Sequence, residues 1–351
     1  MRSFDYSTLK EKTWDHEIIS LIAQIHEYKG RQEVYLKQKP EELNKLVEIA
    51  KRQSTEASNA IEGIRTTNAR LKELCEEKTT PKNRDEEEIL GYRDVLNTIH
   101  ENYEYIPIKT NYILQLHRDL YKYTEKSIGG HFKISQNVIA AIDRNGKEYI
   151  LFTPLAPYET APAMDAICES YNKMIENDEL DAILLIPIFI HDFLCIHPFS
   201  DGNGRMSRLL TALLLYRSGY VIGKYISIES KIANNKDLYY KALEDCQSGW
   251  YENDEDVTPF VKYMLRIILA AYRDFEERVE LLSEKLPAKE IVRRAIYSKM
   301  GKLSKSDISE LCPSIGVKSV ELALKQLVDE GVLEKKGLGR ATFYIRKDIN
   351  L

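Results

Sequence analysis

The chain has 351 residues, 43% of them hydrophobic, with 50 Lys/Arg against 55 Asp/Glu for a formal charge of -5. That apolar content suffices for two or three packed domains, and the slight acidity leaves no global positive field to gather nucleic acid. The most apolar run, Ala182 to Ile190, falls far short of the about 20 residues needed to cross a bilayer, so no membrane partner is expected.

The five cysteines (Cys75, Cys168, Cys195, Cys246 and Cys312) are odd in number and scattered. With no C-x-x-C pair to suggest zinc, they suit reduced thiols. The opening Met-Arg-Ser-Phe-Asp-Tyr lacks the apolar core of a signal peptide, and a cytoplasmic location is the expectation. Cys195, set between Leu194 and Ile196, reads as a packing thiol rather than a nucleophile.

Taken in chain order, residues 14–50 carry helical periodicity broken at Gly30 and at Lys39-Pro40. A helix then runs from about Glu41 through Ala60 and stops at Glu62-Gly63, where glycine ends helices readily. Further helices are expected over 84–103, 109–123, 158–177, 180–195, 203–217, 236–247 and 256–285, which makes the chain mainly α. The exception is 129–157: Asn145-Gly146 between β-branched and aromatic runs is a strong hairpin signal. A lone hairpin is barely stable by itself, so this one is expected to serve a purpose beyond packing.

Leu286-Pro287 breaks the long preceding helix, and residues 286–351 differ in character. Helical segments over 289–300, 305–312 and 318–330 lead into two strands around a glycine-rich turn at 331–345, the pattern of a small α+β winged-helix domain. This region holds 13 Lys/Arg and 8 Asp/Glu, a balance of +5 that leaves -10 on the remainder. A DNA-binding reading would put 318–330 in the major groove. Lys318 and Lys325 are outnumbered there by Glu321, Asp329 and Glu330, a poor set for phosphate contacts, so a protein-interaction role is favoured over DNA.

The densest polar constellation is His197-Pro-Phe-Ser-Asp-Gly-Asn-Gly-Arg205-Met-Ser-Arg208, a turn between two apolar runs with a helix opening near Asn203. Gly202 and Gly204 let backbone N–H groups approach an anion at a helix N-terminus. Arg205 and Arg208 offer bidentate forks for phosphate oxygens. Asp201 is a candidate ligand for Mg²⁺, and His197 a candidate base for a hydroxyl nucleophile. Together these groups describe nucleotide phosphate chemistry.

The same string resembles the Fic family signature H-P-F-x-[DE]-G-N-G-R-x-x-R at every defined position. The resemblance covers roughly residues 50–265 and implies a Fic-type helical bundle with the hairpin as a β-flap. With the break at Leu286-Pro287, the expected division is an N-terminal helical region (1–105, with an inhibitory helix at about 41–63), a catalytic core (106–285, with the flap at 129–157) and the winged-helix domain (286–351). The resemblance implies a protein adenylyltransferase that moves AMP from Mg-ATP to a Ser, Thr or Tyr hydroxyl of a target protein. His197 would deprotonate the hydroxyl, Asp201 would hold Mg²⁺, Gly202, Asn203 and Gly204 would cradle phosphate oxygens, and Arg205 and Arg208 would neutralise the β- and γ-phosphates. Tyr239 and Tyr240 stand where the family binds adenine, and the flap residues Val138, Ile139, Ala140 and Ala141 would line the same pocket.

Ser58-Asn-Ala-Ile-Glu62-Gly63 matches the [ST]-x-x-x-E-[GN] motif of autoinhibited members of the family. The resemblance implies that Glu62 pairs with Arg208 in bidentate fashion and occupies the fork meant for the γ-phosphate. The same carboxylate would serve the reverse reaction by orienting water to remove AMP from a modified target. The alternative is a nucleotide-sensing transcriptional regulator acting through the C-terminal domain. Tyrosine-rich helical surfaces (22 Tyr against 9 Phe) also permit a homodimer.

Overall fold

The computed structural model describes residues 2–38, 40–142, 148–283, 286–297, 299, 301–312 and 315–347. The apolar periodicities become α1 (His16–Gln38), α2 (Pro40–Ile61), α3 (Asn68–Cys75), α4 (Arg84–Asn102), α5 (Thr110–Leu120), the strands β1 (Ile139–Ile142) and β2 (Glu148–Phe152), α6 (Pro157–Glu176), α7 (Ala182–Ile196), α8 (Asn203–Arg217), α9 (Ile228–Asn234), α10 (Lys236–Asp245) and α11 (Thr258–Ser283). After these come α12 (Ala288–Tyr297), β3 (Leu303–Ser304), α13 (Lys305–Leu311), α14 (Val317–Asp329), β4 (Leu333–Lys336) and β5 (Phe343–Arg346). The fold is mainly α, as the sequence leads one to expect. However, α1 runs unbroken through Gly30, where the sequence predicts a break: a glycine inside a helix costs only about 1 kcal/mol, which packing of the helix overrides. The short α3 and α9 carry too few apolar repeats to stand out by periodicity, although Thr67 and Ser227 cap their N-termini.

The chain divides into two compact units, Met1–Lys29 with Ala50–Ala271, and Gly30–Ile49 with Tyr272–Leu351. In the first, α7 is enclosed along its length, with Ile183 through Phe193 all buried. Such a helix cannot present a polar face to water, so its buried Asp192 is satisfied internally by Arg2 at 2.9 Å, the Tyr6 hydroxyl at 2.9 Å and the Trp250 indole N–H at 2.7 Å. The segment before α1 thereby straps onto the helix that carries the central motif. α8 follows after a six-residue loop, and its buried face from Arg205 to Tyr216 packs into the same core. No helix among the described residues is long and apolar enough to cross a membrane.

β1 and β2 form a two-stranded antiparallel sheet with Ala140 opposite Ile150, Ala141 opposite Tyr149, and a register shift between Ile139 and Ala140. The Asn145-Gly146 turn lies outside the described residues. In the second unit, α12, α13 and α14 bury Val292, Ala295, Ile308, Val320, Leu324 and Leu327 together. They accompany a three-stranded antiparallel sheet of order β3-β5-β4. With only two residues, β3 has no alternation that a sequence pattern could reveal.

Candidate active site

His197 is the C-cap of α7 and adopts a left-handed backbone, φ 50° and ψ 63°, while its N–H closes the helix on Phe193 O at 2.9 Å. That conformation is costly for a residue with a Cβ and persists only where surroundings impose it. The ring Nδ1 lies 3.1 Å from Leu194 O, which fixes it as the protonated nitrogen and leaves Nε2 with its lone pair. Burial, which outweighs the contact with Leu194 O, pushes the imidazole pKa down to about 4. The ring is therefore neutral near pH 7 and can accept a proton.

The turn behind it is held by Asn203, whose Nδ2 donates to Phe199 O at 2.7 Å while its Oδ1 accepts from Phe199 N–H at 2.9 Å. Both ends of this amide thus hold the loop, a structural part beyond the phosphate cradle expected from sequence, and the residue also lines the pocket. Gly202 starts α8 with φ 84°, and a Cβ there would sit 2.9 Å from the Tyr121 hydroxyl. Phe199 stacks on His117 at 3.7 Å between centroids, and His117 Nε2 contacts Asp201 O at 3.0 Å.

Arg205 is 1% exposed and bound to residues absent from the motif. Its Nη2 meets Glu88 Oε2 at 2.8 Å and the Tyr121 hydroxyl at 2.7 Å. Its Nε and Nη1 have no hydrogen-bond partner among the described residues. Asp201 accepts from Lys126 Nζ at 2.6 Å and from Gly202 N–H at 2.7 Å. Although burial works to raise it, Lys126 and Arg205 hold the Asp201 carboxyl below its ordinary pKa. A carboxylate at the mouth of a helix-terminus anion site suits a divalent cation that also binds substrate phosphate, since Mg²⁺ typically takes one or two carboxylates and completes its shell with phosphates and water.

Arg208, 3% exposed, is turned toward α2. Its Nε donates to Ser58 Oγ at 2.8 Å, and Nη2 donates to Ser58 O at 2.9 Å and Glu62 Oε1 at 2.8 Å. The Glu62 pairing is a single contact, not the bidentate fork expected from sequence, because Ser58 takes up the rest of the guanidinium. Glu62 follows the last turn of α2, and Gly63 at φ 83° turns the chain away. A Cβ on Gly204 would lie 2.2 Å from Glu62 Oε1, so the carboxylate rests directly over the first turn of α8. It occupies the place where the helix end attracts an anion.

These groups face a pocket of about 880 Å³ that also receives Val138, Ile139 and Ala140 of the flap, together with Tyr239 and Tyr240 of α10. Tyr239 is buried and packs edge-on against Tyr240 at 5.4 Å, whereas Tyr240 is half exposed. Ala141 lies in β1 paired with Tyr149. Sequence reasoning missed Glu88, Tyr121, Lys126, Lys133 and Asn137. Each comes from a segment remote from the motif, and none stands in a spacing that marks it.

Residues 107–215 match the model of the Fic/DOC family. A Fido domain-containing protein of Dictyostelium discoideum is 27% identical over 148 residues, covering 42% of this chain and 96% of its own length. The protein adenylyltransferase Fic of Drosophila grimshawi is 27% identical over 239 residues, and the alignment covers 64% of this chain and 44% of that protein. The chain therefore spans less than half the length of the curated adenylyltransferase it matches. Among solved structures, a Fic family protein from Desulfovibrio desulfuricans aligns over 97% of this chain and 98% of its own, with a TM-score of 0.62 at 21% identity. A Fic domain-containing signaling protein from Bacteroides thetaiotaomicron gives 0.60 at 25% identity over 75% and 97%. With a complete signature, a matching family model and a shared fold, the chain carries a Fic/DOC-family domain over residues 107–215.

Proposed function

We propose that this chain is a protein adenylyltransferase held in check by its own Glu62. The observation that carries the reading is a neutral, backbone-fixed His197 in the same pocket as the N-terminus of α8, with an internal carboxylate already seated at that helix end. The relatives named protein adenylyltransferase support it.

In the forward reaction the hydroxyl oxygen of a target Ser, Thr or Tyr bonds to the α-phosphorus of ATP. The bond from that phosphorus to the bridging oxygen breaks, pyrophosphate leaves, and the hydroxyl proton passes to His197 Nε2. The backbone at Gly202 and Gly204, with the helix dipole, stabilises the phosphate charge. Arg205 contributes the two donors left free by Glu88 and Tyr121. Tyr239 and Tyr240 bound the adenine end, and the exposed edge of the flap offers main-chain pairing to the target. Asp201 would hold Mg²⁺, which supplies charge neutralisation at the phosphates.

Glu62 blocks this arrangement by holding Arg208 and covering Gly204, where a γ-phosphate would otherwise bind. The C-terminal helices and sheet read as a winged-helix module for a protein partner, since Lys305, Lys289 and Arg293 are paired with Glu321 and Glu330 rather than left for phosphates.

Incubating wild type, Glu62→Gly and Glu62→Gly/His197→Ala with Mg²⁺ and α-labelled ATP, beside γ-labelled ATP, tests the reading. Label from the α-position alone, strongest in the single variant and lost in the double, is the expected result. Label from the γ-position would mean phosphotransfer. Silence with both labels, despite ATP binding, would favour a nucleotide-sensing regulator or an enzyme that removes AMP.

A further inference from the structure

The loop that carries His197 is gripped from one side by the segment leading into the flap. Four consecutive carbonyls are engaged there by two residues. Lys133 Nζ donates to Ile196 O at 3.0 Å, and the Lys133 N–H donates to Pro198 O at 2.9 Å. Asn137 Nδ2 donates to His197 O at 3.3 Å and to Phe199 O at 3.1 Å. A fifth bond ties the two together, Lys133 Nζ to Asn137 Oδ1 at 2.9 Å.

Lys133 is 2% exposed, and the Glu159 carboxylate favours its charged form from a distance. A buried ammonium is expensive unless hydrogen bonds satisfy it, and here the loop carbonyl and the Asn137 amide oxygen do so. Burial pushes its pKa down to about 8. The carbonyls it meets lie at the C-terminal end of α7, the negative end of a helix dipole, where a cation is favoured. These bonds surround the left-handed backbone of His197, where the chain leaves α7 and its carbonyls have no intrahelical partners. Two residues beyond Asn137, β1 begins at Ile139.

We propose that Lys133 and Asn137 are positioning residues for the base, a clamp that fixes where His197 stands relative to the flap. The target hydroxyl is presented from the flap edge and the proton is taken from the α7 end, so the two must be in register for in-line attack. The clamp is the covalently short link between them. This inference rests on His197 being the base.

In the Glu62→Gly background, Asn137→Ala and Lys133→Met should slow transfer of α-label by about 10- to 100-fold, the scale of a small misplacement of a reacting group. Affinity for a non-hydrolysable ATP analogue should stay within about two-fold, since nothing made in the ground state is removed. Lys133→Arg, which keeps a charged donor, should recover most of the rate. Lys133→Met should also raise the pH at which the His197 ring titrates by proton NMR, because Lys133 and Glu62 are the charged groups facing the ring and Glu62 is already absent. Unchanged rates, nucleotide affinity falling in step with rate, no recovery with arginine, or a His197 titration that does not move would each overturn the clamp. His197→Ala in the same background separates the two failures. If that variant keeps its activity, the base assignment is wrong; if it is inactive while the clamp variants are not, only the clamp is wrong.

Discussion

At the scale of single residues, chemistry here is set by what surrounds a side chain more than by its identity. His197 and His191 stand six positions apart on one helix end and both are pushed down to about 4 by burial, yet only His197 lines the pocket. A base works when unprotonated, so lowering its folded-state pKa extends activity toward acid. Transfer by Glu62→Gly should therefore stay level from about pH 8 to 5.5 and fall only as pH approaches about 4, where an ordinary imidazole would already be lost near 6.5. A pH series of initial rates checks this, and a midpoint near 6.5 would mean that the ring is more open to water than the structure shows. Arg205 and Arg208, equivalent in the motif, are also divided by context: one is tied to Glu88 and Tyr121, the other to Ser58 and Glu62.

At the scale of elements, the agreement between sequence and structure follows burial. The 203–217 segment is legible end to end because α8 buries nearly every residue and begins at a glycine that caps it. The helix expected to end at Glu62-Gly63 does so because Gly63 takes the left-handed turn at its end. What no spacing reveals is how α2 is anchored. Ser54 Oγ meets Glu229 Oε2 at 2.6 Å and Ser227 Oγ at 2.9 Å, and the Tyr92 hydroxyl meets Glu229 Oε1 at 3.1 Å. A buried carboxylate on α9 thus latches the helix two turns before Glu62. Ser54→Ala should cost about 1–3 kcal/mol by leaving that carboxylate under-satisfied. It should also raise α-label transfer by the otherwise wild-type protein, though less than Glu62→Gly does. A thermal melt and a labelling time course measure both, and a stability loss without any gain in activity would show that α2 is held by other contacts.

At the scale of the molecule, the two units are built on different cores. The first is organised around α7 and α8 and contains every candidate catalytic residue. The second buries Val292, Ile308, Val320, Leu324 and Leu327 around its own helices. Leu324 is 1% exposed, and Leu324→Ala should lower the stability of that unit by about 2–5 kcal/mol, the usual cost of the lost methylenes and the cavity they leave. Urea unfolding followed by circular dichroism reads this change; a loss below about 1 kcal/mol would mean that the site collapses around the smaller side chain.

By itself the sequence determined the helical class, the positions of most long helices, the strand pair, and the candidate phosphate-binding motif with its distant glutamate. All of these are written in local spacing: 3.6-residue periodicity, a turn dipeptide, glycines at fixed offsets. Only the tertiary structure decided which partners those groups take. Asn203 turns inward to hold the loop, Arg205 is aimed by Glu88 and Tyr121, Glu62 reaches Arg208 through one contact, and Lys133 with Asn137 grips the carbonyls around His197. Partners brought together across about 60 to 150 positions of sequence are selected by packing, and packing leaves no periodic trace in the chain.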